Sequence, residues 1–165
     1  LALVAQSGVR DTRKSLEILN AMDLPAKAIV DLDYAFTGAV TDGYLQSTDP
    51  DINAIKVILQ RLEQQSKITL HGNGLPQRGI VKAAKAFEIL ANEQDAQIHI
   101  ENLHNRLKLQ GIWIWTKGAL EAHIGTESKN ELAWAQFKTS VDENGFQATC
   151  PEPQTLIELV GWLRA

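Results

Sequence analysis

Cysteine is almost absent: Cys150 is the single thiol in 165 residues. One thiol permits neither an internal disulfide nor a cysteine metal cage. It implies a reducing, intracellular setting, and cytoplasmic localisation is expected. No apolar run approaches the roughly 20 residues of a membrane-spanning helix, so no membrane partner is expected. Leu1 to Ala5 is apolar but too short for a signal peptide, and it lacks a basic leader. A basic excess is missing as well, with 16 Lys+Arg against 20 Asp+Glu and a formal net charge of −4. Domains that bind nucleic acid alone usually carry a positive surplus. Handling of DNA or RNA by this chain therefore requires a metal ion that bridges the phosphates, or a neighbouring basic domain. There is no GxxxxGK[ST] phosphate loop, hence no ATPase within the chain. The first residue is Leu1 rather than methionine, which suggests a piece of a longer protein.

What is present is an ordinary globular composition, 44% apolar and 22% charged. That is enough for a real core and argues against disorder. Strand-like and helix-like segments alternate. Leu1–Ala5 (LALVA) reads as a buried strand, followed by a turn at Gln6-Ser7-Gly8. A helix from about Val9 to Met22 carries Leu16, Leu19 and Met22 on one face. Ala28 to Asp33 is a second strand, and Tyr34 to Asp49 reads as a loop with little regular structure. Asp49-Pro50 is a helix start, with Asp as N-cap and Pro in the first turn. Ile52, Ile55, Ile58, Leu59 and Leu62 mark the inner face of that helix, which ends near Gln65. Further helices are predicted from Gly79 to Asn92, with Ile80 on the inner face, and from Ala96 to Gln110. Ile112-Trp113-Ile114-Trp115 is a β-prone strand. Short or medium helices follow at Ala119–Ile124, Ser128–Val141 and Pro153–Leu163. The order implies an α/β fold, a mainly parallel sheet with helices on both faces and a helical C-terminal tail. Ligands of such sheets sit beyond the carboxyl ends of the strands.

Two segments at such ends carry chemistry. Asp31 and Asp33 close the apolar strand, and strand alternation predicts that they share a face. Two adjacent carboxylates repel unless a cation or proton intervenes. Magnesium takes oxygen ligands and often only one or two carboxylates, which leaves room for water and phosphate. The alternative is a pair of surface aspartates that cap the next turn. The second segment is Ile112 to Gly125, IWIWTKGALEAHIG. Lys117 sits at its turn, where it could face a phosphate. Glu121 falls in the first turn of the next helix, where the dipole favours a carboxylate.

The DLD that follows an apolar strand, together with the later WIW strand and KGALEAHIG, resembles the toprim domain of the OLD (overcoming lysogenization defect) family of ATP-dependent nucleases. The resemblance covers about residues 1–125, a toprim-like catalytic core lacking its first strand. Residues 126–165 are expected to form a helical C-terminal extension packed on the same domain. The resemblance implies a Rossmann-like toprim sheet and metal-dependent phosphodiester hydrolysis of DNA. Asp31 and Asp33 match the family's Asp-x-Asp pair, and Glu121 matches its later acid; these three would bind Mg²⁺ or Mn²⁺. Lys129, with Lys117 second, takes the role of the lysine that assists cleavage. The implied partners are DNA, an N-terminal ATPase domain of the same longer chain and a second copy in a homodimer. No residue here takes the role of the family's first glutamate, so the sequence is expected to begin after the first toprim strand.

Other features carry less. The four histidines, His71, His99, His104 and His123, lack HExxH spacing. Gly72-Asn73-Gly74 is read as a connection, because no strand-loop-helix with a lysine and hydroxyl follows it. Trp113 and Trp115 share a strand face and are read as buried rather than as a base-stacking platform. Ser7-Gly8 is read as a helix-initiating turn. Two rival functions remain. One is a haloacid-dehalogenase-like phosphatase with Asp31 as nucleophile, although Tyr34-Ala35-Phe36 lacks that family's Thr or Val. The other is a catalytically incomplete toprim scaffold for protein contacts or dimerisation.

Overall fold

Two short strands pair in parallel, and helices from both halves of the chain cover them. The computed structural model describes residues 11–126 and 130–165. The strand read at Leu1–Ala5, the turn at Ser7-Gly8 and Lys129 lie outside the described residues. β1 spans Ala28–Val30 and β2 spans Ile112–Ile114. Their register is Ala28↔Ile112, Ile29↔Trp113 and Val30↔Ile114. Among the described residues the sheet has these two strands, so the expected parallel pairing is present on a small scale.

The two faces of the pair serve different clusters, as alternation along a strand requires. Ile112 and Ile114, with Ala28 and Val30, join the larger core. Ile29 and Trp113 turn to the other side, where Trp115, Leu159 and Trp162 pack. Both strands are therefore covered on both faces, which explains a near-continuous apolar reading at Ile112–Trp115. Trp113 and Trp115 are buried core residues, and Trp113 meets Trp162 at a ring-centroid separation of 5.6 Å.

The larger core is built by α3 (Pro50–Gln64), α4 (Ala83–Ala91) and α5 (Gln94–Lys108), all within the crossover from β1 to β2. The Asp49-Pro50 start of α3 is as expected, and the Asp49 carboxylate accepts the Asp51 N–H at 2.9 Å. Ile52, Ile55, Ile58, Leu59 and Leu62 are all buried. They face Ile100, Leu103 and Leu107 of α5 in the same cluster. The remaining helices are α1 (Thr12–Ala21), α2 (Gly38–Thr41), α6 (Leu120–Ile124), α7 (Glu131–Asn144), α8 (Phe146–Thr149) and α9 (Pro153–Arg164).

Three sequence expectations change. Met22 falls outside α1, which ends at Ala21, and is 63% exposed; of Leu16, Leu19 and Met22 only Leu16 is buried. Helix α4 starts at Ala83, not Gly79; Lys82 is extended, the Ile80 N–H is bound by the Thr69 hydroxyl, and Ile80 is exposed. The span read as an irregular loop after Asp33 holds a 3-10 helix at Leu32–Phe36 and then α2. This winding buries Leu32, Tyr34, Ala35 and Phe36, whereas strand alternation would have turned Ala35 away from the other three. The Tyr34 hydroxyl donates to Asp42 at 2.8 Å. Burial and that neighbouring carboxylate push the phenol well above its usual range.

Candidate functional site

The strand of Asp31 stops sooner than alternation predicts. β1 ends at Val30, Asp31 is the extended N-cap residue, and Asp33 lies in the first turn of the 3-10 helix. The shared-face argument for the Asp-x-Asp pair therefore does not apply, since residues two apart on a 3-10 helix do not eclipse. The reason is burial: Tyr34, Ala35 and Phe36 all go into the core in succession, which alternation along an extended strand facing one core does not allow. Asp31 and Asp33 are half-buried, and each has a side-chain or backbone interaction within the fold.

The loop that holds them is tied to the second segment. Trp115 N–H donates to the Val30 carbonyl at 3.0 Å, which extends the parallel pairing by one step. Leu32 N–H then donates to the Gly118 carbonyl at 2.8 Å. The Asp31–Asp33 turn and the Lys117–Gly118 turn are thus joined at the carboxyl ends of both strands, the position where such folds bind ligands. Gly118 has φ +106°, and an added Cβ would come within 3.2 Å of the Glu88 backbone nitrogen of α4. That residue must be glycine to turn there and lie against α4. Glu121 follows three residues after Gly118, in the first turn of α6, and is only 7% exposed.

Lys117 is held from two directions. Its backbone N–H donates to His123 Nε2 at 3.2 Å. The accepting Nε2 makes Nδ1 the protonated nitrogen of a neutral ring. His123 is fully buried against the Trp115 ring, at a centroid distance of 5.0 Å. Burial pushes its pKa down to about 4, against an opposing pull from Glu152, so the ring stays neutral at physiological pH. The Lys117 ammonium itself pairs with the Glu152 carboxylate. His123, which lacks HExxH spacing in the sequence, is the prop beneath the Lys117 turn. Its two-residue offset from Glu121 gave no sign of this.

A second polar cluster, missed in the sequence, lies between the start of α3 and α5. Arg106 bridges Asp49 Oδ1 at 3.0 Å and Asp51 Oδ2 at 2.9 Å. His99 Nδ1–H donates to Asp51 Oδ1 at 2.7 Å, and Asn102 donates to the same oxygen at 3.1 Å. Burial raises the Asp51 carboxyl, but the two hydrogen bonds and the Arg106 charge outweigh it and leave it below the usual carboxylate range. The available signal was the i, i+3, i+7 spacing of His99, Asn102 and Arg106 along α5, one helical face. His104, by contrast, is buried and donates to the Ile114 carbonyl at 3.0 Å.

Asp31, Asp33 and Glu121 offer hard carboxylate oxygens, the donor type that Mg²⁺ and Mn²⁺ take. Among the described residues, no group of three or more His, Cys, Asp or Glu side chains converges closely enough to hold a metal. The donor chemistry of the paired loops suits a hard cation that keeps water and phosphate among its ligands. Among the described residues, no helix is long and apolar enough to cross a membrane.

Comparison with known proteins gives one informative relative. No family model matches the chain. No solved structure matches it either. The chain is similar to the Old nuclease of Escherichia phage P2, with 27% identity over 140 residues. That alignment covers 81% of this chain and 23% of the phage protein, so the chain spans about a quarter of that relative's length. The similarity supports an OLD-family relationship and suggests a nuclease-related function.

Proposed function

We propose that this chain is the toprim portion of an OLD-like nuclease and that it takes part in metal-dependent hydrolysis of DNA phosphodiesters. The observation that carries the reading is the Leu32–Gly118 hydrogen bond at 2.8 Å. It couples the Asp31/Asp33 turn to the Lys117/Glu121 segment at the carboxyl ends of the parallel strands. Similarity to a protein named Old nuclease over 81% of the chain supports the same reading.

In this account Asp31 and Asp33 would hold Mg²⁺ or Mn²⁺, and Glu121 would hold metal or a water bound to it. When bound, such an ion supplies Lewis-acid charge and a water of lowered pKa. The chain's own work is electrostatic. Lys117 or Lys129 neutralises phosphate charge, as cations do at a strained or transferring phosphate. His123 fixes the turn from which Lys117 extends. The net charge of −4 makes an unaided approach of DNA unfavourable. The metal, and an ATPase domain of the same longer protein, would offset that repulsion; a homodimer is the remaining assembly in this proposal.

The test is nicking of supercoiled plasmid by the full-length protein in Mg²⁺ or Mn²⁺. Asp31→Ala should lower the rate by at least about a hundredfold, the scale of losing a central electrostatic contact, while thermal stability stays near wild type. Equal nicking by both proteins would eliminate the nuclease assignment for this site. Trapping of a covalent aspartyl phosphate at Asp31 would favour the phosphatase reading instead.

A further inference from the structure

The C-terminal residues reach back to the loop that carries Lys117. Cys150, Pro151 and Glu152 form a strap between α8 and α9. It is pinned at three points. The Glu152 N–H and the Cys150 thiol both donate to the His123 carbonyl, each at 3.2 Å. Gly125, at φ +75°, lies under Pro151, where an added Cβ would come within 2.9 Å of the proline ring. These backbone and packing contacts hold the strap without help from the Glu152 side chain. That side chain is left to pair with the Lys117 ammonium, with 32% and 44% of the two side chains exposed.

We propose that Glu152 gates the candidate site by competing with a nucleic-acid phosphate for Lys117. The proposal rests on the reading of Lys117 as a phosphate-facing cation. An acidic side chain from a fixed strap occupies the ammonium when substrate is absent. A phosphodiester brings the same chemistry, anionic oxygens that accept charge-assisted hydrogen bonds. Because the pair is open to water, it is weak enough to exchange. Release needs only a rotamer change at Glu152, since the strap's own bonds involve its backbone, Cys150 and Pro151. The carboxylate excludes weakly bound anions, and a phosphate positioned by other contacts displaces it.

The experiment is fluorescence anisotropy with a short labelled DNA duplex in Mg²⁺ and low salt. It uses the intact protein in an Asp31→Ala background so that the duplex persists. Glu152→Gln should bind about threefold to fivefold more tightly than its parent, the scale of an exposed ion pair. Lys117→Gln should bind more weakly, and adding Glu152→Gln to it should change nothing further. Thermal melting of each variant verifies folding, and Glu152→Asp, which keeps the charge on a shorter stem, should give a smaller gain. Unchanged or weaker binding by Glu152→Gln, with Lys117→Gln still impaired, overturns the gate and leaves the lysine's role standing. Absence of duplex binding by the parent and every variant overturns the DNA reading itself, and the gate with it.

Discussion

The protein contains two Asp-x-Asp pairs, and the fold uses them in opposite ways. Asp49-Pro-Asp51 stands at the start of α3, where one carboxylate caps the helix and both are bound by Arg106 of α5. His99 and Asn102 complete the set on Asp51. Asp31-Leu-Asp33 stands instead where β1 runs out, hydrogen-bonded through Leu32 to the turn that carries Lys117 and leads to Glu121. Spacing alone does not separate a polar staple between helices from a candidate ligand site. What separates them is the partner set: a cationic helix face for one pair, and the carboxyl end of a parallel strand pair for the other. The first is built for stability, because a carboxylate that is only 8% exposed keeps its charge through close donors.

The larger effect that would sharpen this contrast comes from Asp51→Ala. It leaves Arg106 and His99 without their shared acceptor, and should destabilise the fold by about 2 kcal/mol. For a chain of this size the melting midpoint should fall by about 4–8 °C. Metal-dependent nicking at a temperature where the variant remains folded should be unchanged. A variant that melts like wild type would remove the structural reading of that pair.

A smaller effect concerns pH and the strand side of the same helix. Burial lowers the His104 pKa below its ordinary value near 6.5, outweighing its hydrogen bond to Ile114. Below about pH 6.5 the unfolded chain therefore binds more protons at this position than the folded chain. Stability from this residue is fully present above that pH and is lost as the pH falls toward the folded value. His104→Asn can keep a donor to the Ile114 carbonyl and should flatten the decline in melting midpoint between neutral and mildly acidic pH. An unchanged pH dependence in the variant would show that His104 does not contribute to it.

Much of the fold was legible because local chemistry and tertiary context agree. Asp49-Pro50 opened α3 where capping chemistry places a start, and the isoleucine and leucine spacing gave its buried face. The β-prone Ile112–Trp115 run paired in parallel with the Ala28–Val30 segment, as a chain of alternating strands and helices should. The failures came where burial overruled a local period. Tyr34, Ala35 and Phe36 had to enter the core in succession, so the chain wound into a 3-10 helix and took Asp33 off the strand. Within the candidate site, the placement of the Asp31 and Lys117 turns at neighbouring strand ends was readable from the sequence. The Glu152 pairing was not, since nothing in the Lys117 segment specifies a partner 35 residues away. The Arg106 cluster was missed for the related reason that its acids and its cation lie on different helices.

Divalent-metal binding by the two aspartate pairs provides the most direct test. Mn²⁺ titration by calorimetry should show that Asp33→Asn weakens binding by at least about tenfold, as expected when a carboxylate ligand of a hard cation is neutralised. Asp51→Asn, melted in parallel, should bind Mn²⁺ like wild type. Equal weakening by both substitutions, or binding that survives Asp33→Asn unchanged, would contradict a metal site at the end of β1.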